Sequence, residues 1–147
     1  MRLVILPMWL LFLIPGTISS FEVDGIWYTP HLDNENEVLV GSMNKMFWGD
    51  VLIPATVSYE GKSYTVTGIA EWAFDGCVGL TSVELPPTLE VIGRHAFAGC
   101  IRLSSLEFPS SLKCIDEYAF SNCSSLTSLA LPSTLDSIGD YVFSGCI

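Results

Sequence analysis

The chain has 147 residues, half of them hydrophobic, with sixteen Asp and Glu against six Lys and Arg and a formal net charge of −10. An acidic surface of this kind repels phosphate backbones and anionic lipid headgroups, which argues against nucleic-acid binding and against electrostatic adsorption to membranes. The length suits one domain.

Residues 1–20 read as a secretory signal peptide, outside the fold. Met1-Arg2 gives a positive start, Leu3 to Ile14 is an almost unbroken apolar run, and Pro15-Gly16 breaks it ahead of Thr17, Ser19 and Ser20. The run is too short for a transmembrane anchor, which needs about twenty apolar residues. No membrane span is therefore expected once the segment is removed, and the expected location is secreted or cell-surface. Removal takes Arg2 with it and leaves five cations against sixteen carboxylates, a charge of −11.

From Phe21 to Thr67 apolar and polar residues alternate, as in half-buried strands. Phe21–Val23 and Ile26–Tyr28 flank Asp24-Gly25, a dipeptide suited to a two-residue hairpin turn. Glu37–Val40 predicts a further strand, and Val51-Leu52-Ile53-Pro54 follows it. Thr56–Tyr59 and Ser63–Thr67 predict a second hairpin around Glu60-Gly61-Lys62. Ile53-Pro54 has the look of the later Leu85-Pro86 step, so this hairpin reads as an insertion in a first, incomplete coil. Residues 21–67 are expected to form a β-rich amino-terminal cap that covers the end strand of a stack.

Residues 68–147 repeat every twenty-three residues, as three full copies and a partial fourth. Phe74, Phe97, Phe120 and Phe143 are in register, as are Cys77, Cys100, Cys123 and Cys146, and Ile69, Ile92, Ile115 and Ile138. A fixed period of this length is the mark of a solenoid, whose coils bury their apolar faces only against copies of themselves. Within each coil Leu80-x-x-Val83-x-Leu85 and its counterparts predict a short strand, ended by Pro86, Pro109 or Pro132 because proline has no N–H for a ladder. Leu89-x-x-Ile92 predicts a second, shorter extended segment. Arg94 to Cys100 is compact and predicts one helical or 3₁₀ turn. The expected fold class is thus an α/β repeat solenoid of short parallel strands with helical or 3₁₀ turns and a β-rich cap.

The frame L-x-x-L-x-L, satisfied at Leu80/Val83/Leu85, Leu103/Leu106/Phe108 and Leu126/Leu129/Leu131, is that of leucine-rich repeats. The fuller pattern, as in Ile115-Asp116-Glu117-Tyr118-Ala119-Phe120-Ser121-Asn122-Cys123-Ser124-Ser125-Leu126, resembles the BspA-like leucine-rich repeat family. The asparagine that common leucine-rich repeats carry after the strand is absent here, with Pro86 and Thr88 nearby instead, so no asparagine ladder is expected. The resemblance implies an exported protein of anaerobic bacteria or protozoan parasites, associated with adhesion to host matrix or plasma proteins and with contact between cells.

The four in-register cysteines read either as a buried column of small apolar side chains or as bridges between neighbouring coils, for instance Cys77 to Cys100. The unbridged column is favoured, because one bridge would distort a regular stack. Cys114 lies outside it, at a position held by Val91 and Ser137 in other coils. His31 and His95 have no Ser or Cys arranged as nucleophile and base, and a nucleophile would not recur four times in register. No catalysis and no cofactor are expected. Asp33, Glu35 and Glu37 lack the glycine of a calcium loop, Val38 standing in its place, and Asn122-Cys123-Ser124 matches a glycosylation sequon inside the repeat.

Two columns remain as candidate partner surfaces. Ser82, Ser105 and Ser128 lie beside Glu84, Glu107 and Ala130 on the outward strand face, read either as an ordinary solvated sheet face or as the surface where repeat proteins usually bind. Trp72, His95, Tyr118 and Tyr141 form an aromatic column, read first as a packing stripe and second as a platform for a sugar or a protein. The expected function is a non-catalytic binding or adhesion module for a host or neighbouring-cell surface protein or glycan, with a structural spacer as the alternative. The fourth copy stops at Ile147, before its strand. Either a longer gene with further repeats or a truncated remnant is expected, with self-association through the open carboxy-terminal repeat as another way to cover it.

Overall fold

The computed structural model describes residues 19–41 and 46–146. The signal-peptide reading falls almost wholly outside that range. Both hairpins form where the sequence places them. β1 (Phe21–Val23) and β2 (Ile26–Pro30) pair antiparallel around Asp24-Gly25, whose φ angles of 50° and 81° give the doubly left-handed turn that matches strand twist. The second turn is Glu60-Gly61, one residue shorter than expected, since Lys62 already pairs with Tyr59. β3 (Glu37–Val40), β4 (Trp48–Leu52), β5 (Thr56–Tyr59) and β6 (Lys62–Ile69) complete the amino-terminal strands.

Two sheets run along the stack. The larger has eight strands in the order β1-β2-β3-β6-β8-β10-β11, with β5 on β6; β8 is Val91–Ile92, β10 Cys114–Ile115 and β11 Ser137–Ile138. The pairs β6–β8, β8–β10 and β10–β11 are parallel and bring Ile69, Ile92, Ile115 and Ile138 into one row. The smaller sheet joins β4, β7 (Gly79–Glu84) and β9 (Ser105–Leu106), again in parallel. Ile53 donates its N–H to the Glu84 carbonyl, so the Ile53-Pro54 step lies beside Leu85-Pro86 as its sequence suggests. The strand expected in every coil shortens along the stack. It is six residues in β7 and two in β9, and none is assigned over residues 126–131.

The helical turns are not formed; no helix is assigned among the described residues. Trp72, His95, Tyr118 and Tyr141 all take left-handed φ, between 53° and 60°, which breaks the run of right-handed residues that a helical turn needs. The backbone instead alternates its partners. Ala73, Asp75 and Cys77 donate three residues back within the coil, while Trp72, Phe74 and Gly76 donate to Arg94, Ala96 and Ala98 of the next coil. The next two coils repeat the cross-coil set, from His95, Phe97 and Gly99, and from Tyr118, Phe120 and Asn122. The turns thereby form a third ladder in which the N–H groups that a single coil leaves orphaned are satisfied by the next.

The core is the interior of this spiral. Phe74, Phe97 and Phe120 are fully buried and stack with centroids 4.9 and 5.2 Å apart, continued by Phe143 at 5.8 Å. All five cysteines are free. Three of the four column thiols donate to the phenylalanine carbonyl of the preceding coil: Cys100 to Phe74 at 3.1 Å, Cys123 to Phe97 at 3.1 Å and Cys146 to Phe120 at 3.2 Å. Where an asparagine ladder is missing, hydroxyls take over. Thr88, Ser111 and Thr134 donate to the Val66, Leu89 and Leu112 carbonyls, at 2.7, 2.6 and 3.3 Å.

Candidate binding surface

The outward residues of the smaller sheet form one face. Ser82 pairs with Ser105 across β7 and β9, which sets Glu84 and Glu107 side by side at the strand ends. Ser82, Glu84, Ser105 and Glu107 border one open groove of about 510 Å³, floored by Val83, Leu85, Leu106 and Phe108. Glu107 also borders the adjoining concavity, about 520 Å³, which holds Ser128 and Ala130. The candidate residues of the strand columns are therefore contiguous.

β4 adds three residues to this face that were not singled out from the sequence. A bulge between Gly49 and Asp50 shifts its register, so that Asp50 meets Ser82 and Leu52 meets Glu84. Asp50 accepts hydrogen bonds from the Ser82 and Thr81 hydroxyls at 2.6 and 2.8 Å on one carboxylate oxygen. Those bonds, the Ser82 bond first, hold its carboxyl below the usual range and keep it charged. Trp48 and Leu52 are 67% and 62% exposed. The Trp48 indole lies over Gly79, where any added Cβ would come within 2.2 Å of the ring. The available sequence signal was the match of Ile53-Pro54 to Leu85-Pro86, which, counted back along the strand, brings β4 onto this face.

The aromatic column is continuous. Trp72 and His95 stack at 3.9 Å, His95 and Tyr118 at 4.9 Å, and Tyr118 and Tyr141 at 5.1 Å, with interplanar angles of 6°, 6° and 11°. Ring faces at these separations are occupied by one another, so a ligand meets ring edges and polar tips along most of the column. The Arg94–Glu117 ion pair, 3.5 Å, lies alongside it.

The polar loop around Asp33 closes on itself. Asn34 donates to Glu37 at 2.6 Å, Thr67 donates to the other Glu37 oxygen at 3.1 Å, and the Asp33 N–H donates to His31 at 3.2 Å. Among the described residues, no three His, Cys, Asp or Glu side chains gather as a metal would require, and no helix is long and apolar enough to cross a membrane.

Parallel ladders one coil apart, a leucine frame turned inward and strands that end at proline define a leucine-rich-repeat solenoid. The model of the BspA type leucine rich repeat region (6 copies) matches residues 60–147, and the chain belongs to that family. A leucine-rich repeat protein from Bacteroides ovatus is 36% identical, with a TM-score of 0.79 over 86% of this chain and 33% of that one. One from Bacteroides capillosus is 28% identical, with a TM-score of 0.72 over 82% of this chain and 88% of that one. The T. pallidum leucine rich repeat protein is 33% identical, with a TM-score of 0.67 over 76% of this chain and 50% of that one. The chain thus spans about a third of the first of these structures and half of the third. Among the curated proteins none matches.

Proposed function

We propose that the chain is a non-catalytic binding module, exported to the cell surface or beyond, which holds a protein or glycan partner on the strand face of its repeats. The observation that carries this reading is the gathering of Ser82, Glu84, Ser105 and Glu107 around one open groove on the side of the coil where side chains project freely. Membership of a repeat family built for interaction supports it, because a solenoid offers a broad rigid surface. The stretch from Met1 to Ser20 supports export. The strands β1, β2, β3 and β5, which extend the larger sheet beyond β6, serve as the closing cap of that end.

The test is biolayer interferometry of the full chain against purified matrix and plasma proteins and their glycans, repeated with the Glu84→Lys/Glu107→Lys variant. The reading expects one of these partners to bind and the variant to lose at least about tenfold in affinity, the scale of removing two charged contacts. Binding that ignores both reversals moves the site to the aromatic column or the amino-terminal strands. Failure of every partner to bind leaves the spacer reading.

A further inference from the structure

We infer that the strand face, extended by β4, accepts a basic, extended segment of a protein partner, with its cationic side chains against Glu84 and Glu107 and its apolar side chains against Trp48 and Leu52. This rests on the strand-face reading above and names the chemistry of its occupant.

The first ground is charge left unbalanced at a cost. Glu84 ends β7 and Glu107 directly follows β9, each one residue beyond the paired Val83 and Leu106, so the two carboxylates leave neighbouring chains about one strand spacing of 4.8 Å apart. Like charges facing each other across a strand pair destabilise a sheet. Among the described residues neither Glu84 nor Glu107 is held in an ion pair. Lys113 is paired with Glu90 at 2.8 Å and Arg94 with Glu117, beside β8 and β10, and no residue bordering the groove is Lys or Arg. Asp50, one strand further, adds a third exposed carboxylate to the same face.

The second ground is independent of charge. Trp48 and Leu52 are large apolar side chains left open to water on an edge strand, and Gly79 leaves the space that the indole occupies. Tryptophan is the residue type most often found as an interface anchor. An indole face beside carboxylates also suits a lysine or arginine, which lays its aliphatic stem on the ring and its charge on the acid. From β4 to β9 is two strand spacings, about 10 Å, which an extended segment crosses in about three residues. Residues two apart on such a segment point the same way, so alternate cations reach this face together.

The experiment measures the full chain with fluorescein-labelled eight-residue peptides that alternate Thr with Lys, Gln or Glu, by fluorescence anisotropy. The Lys peptide is expected to bind about tenfold or more tighter than the Gln peptide, and the Glu peptide not at all. Glu84→Gln/Glu107→Gln is expected to weaken the Lys peptide about fivefold, and Trp48→Ala by a similar factor. The double variant also raises the melting temperature, which separates lost binding from lost folding. The control is Glu35→Gln/Glu60→Gln, which removes the same charge from exposed loops away from this face and is expected to leave affinity unchanged. Equal loss in that control overturns the inference, because it would mark attraction to net charge alone. So does full affinity in Trp48→Ala. Equal affinity for the Lys and Gln peptides, or competition by a neutral oligosaccharide in place of either, overturns the basic-segment inference. If the interferometry partner is meanwhile still lost in Glu84→Lys/Glu107→Lys, the strand-face reading itself stands.

Discussion

The Cys100 thiol donates a hydrogen bond to the Phe74 carbonyl in the preceding coil, 3.1 Å away. The same bond recurs from Cys123 and Cys146, so the cysteine column acts as a set of donors as well as a column of small side chains. Alanine at this position removes the donor and leaves a cavity. Cys123→Ala is expected to cost about 1–3 kcal/mol in urea unfolding. An unchanged midpoint would show that neither the donor nor the volume of the thiol stabilises the stack.

Thiol chemistry should separate the five cysteines. Burial pushes the Cys123 thiol up to about 12 and Cys100 further up, and it also raises Cys77. Cys114 and Cys146 are raised too, but both are only half-buried. At pH 8 iodoacetamide is expected to modify Cys114 and Cys146 in the folded chain, and all five after denaturation, as read by intact mass. Fast labelling of Cys100 in the native chain would contradict the buried column.

The same groups set a pH dependence. Cys123 and Tyr28 hold their protons more tightly folded than unfolded, Cys123 up to about 12 and Tyr28, by burial and then the Asp24 charge, also up to about 12. Their contribution is complete below the unfolded values near 9 and 10 and is lost as pH rises through the folded ones. The melting temperature should therefore fall between pH 9 and 12, with a smaller fall in Tyr28→Phe. A flat profile over that window would show that both groups titrate unhindered.

Phe120 is buried between Phe97 and Phe143, with Phe108 edge-on at 5.7 Å. Phe120→Ala is expected to cost about 3–5 kcal/mol, because it empties the middle of the stack. A melting temperature that does not move would remove this column from the core.

The twenty-three-residue period made the inward columns and the proline stops legible, and turn dipeptides between alternating runs did the same for both hairpins, because each follows from side-chain size, turn chemistry or a missing N–H. Two features were not. The turn at Trp72, His95, Tyr118 and Tyr141 is left-handed without glycine, so the usual signal for that backbone is absent and the segment reads as helical. The strand face lost part of its site to β4, because the bulge at Gly49/Asp50 moves the register by one residue and the intervening hairpin hides the coil's period. The serine and glutamate columns were readable in outline. Trp48, Asp50 and Leu52, which border them, were not.

That backbone carries its own prediction. A left-handed non-glycine residue costs about 1–2 kcal/mol, offset here by ring stacking on both sides. Tyr118→Ala loses the stacking and keeps the strain, whereas Tyr118→Gly loses the stacking and relieves it. The alanine variant is expected to be the less stable by about 1 kcal/mol in chemical denaturation. The reverse order would mean that φ at this position is unstrained.

The most direct test of the strand face as the binding surface is hydrogen exchange of the chain, free and saturated with the partner found by interferometry. The account predicts slowed exchange confined to β4, β7 and the segment around β9, residues 48–52, 79–84 and 104–107. Protection that falls instead on residues 72–76, 95–99 and 118–122, with 48–52 and 79–84 unchanged, would place the partner on the aromatic column and contradict it.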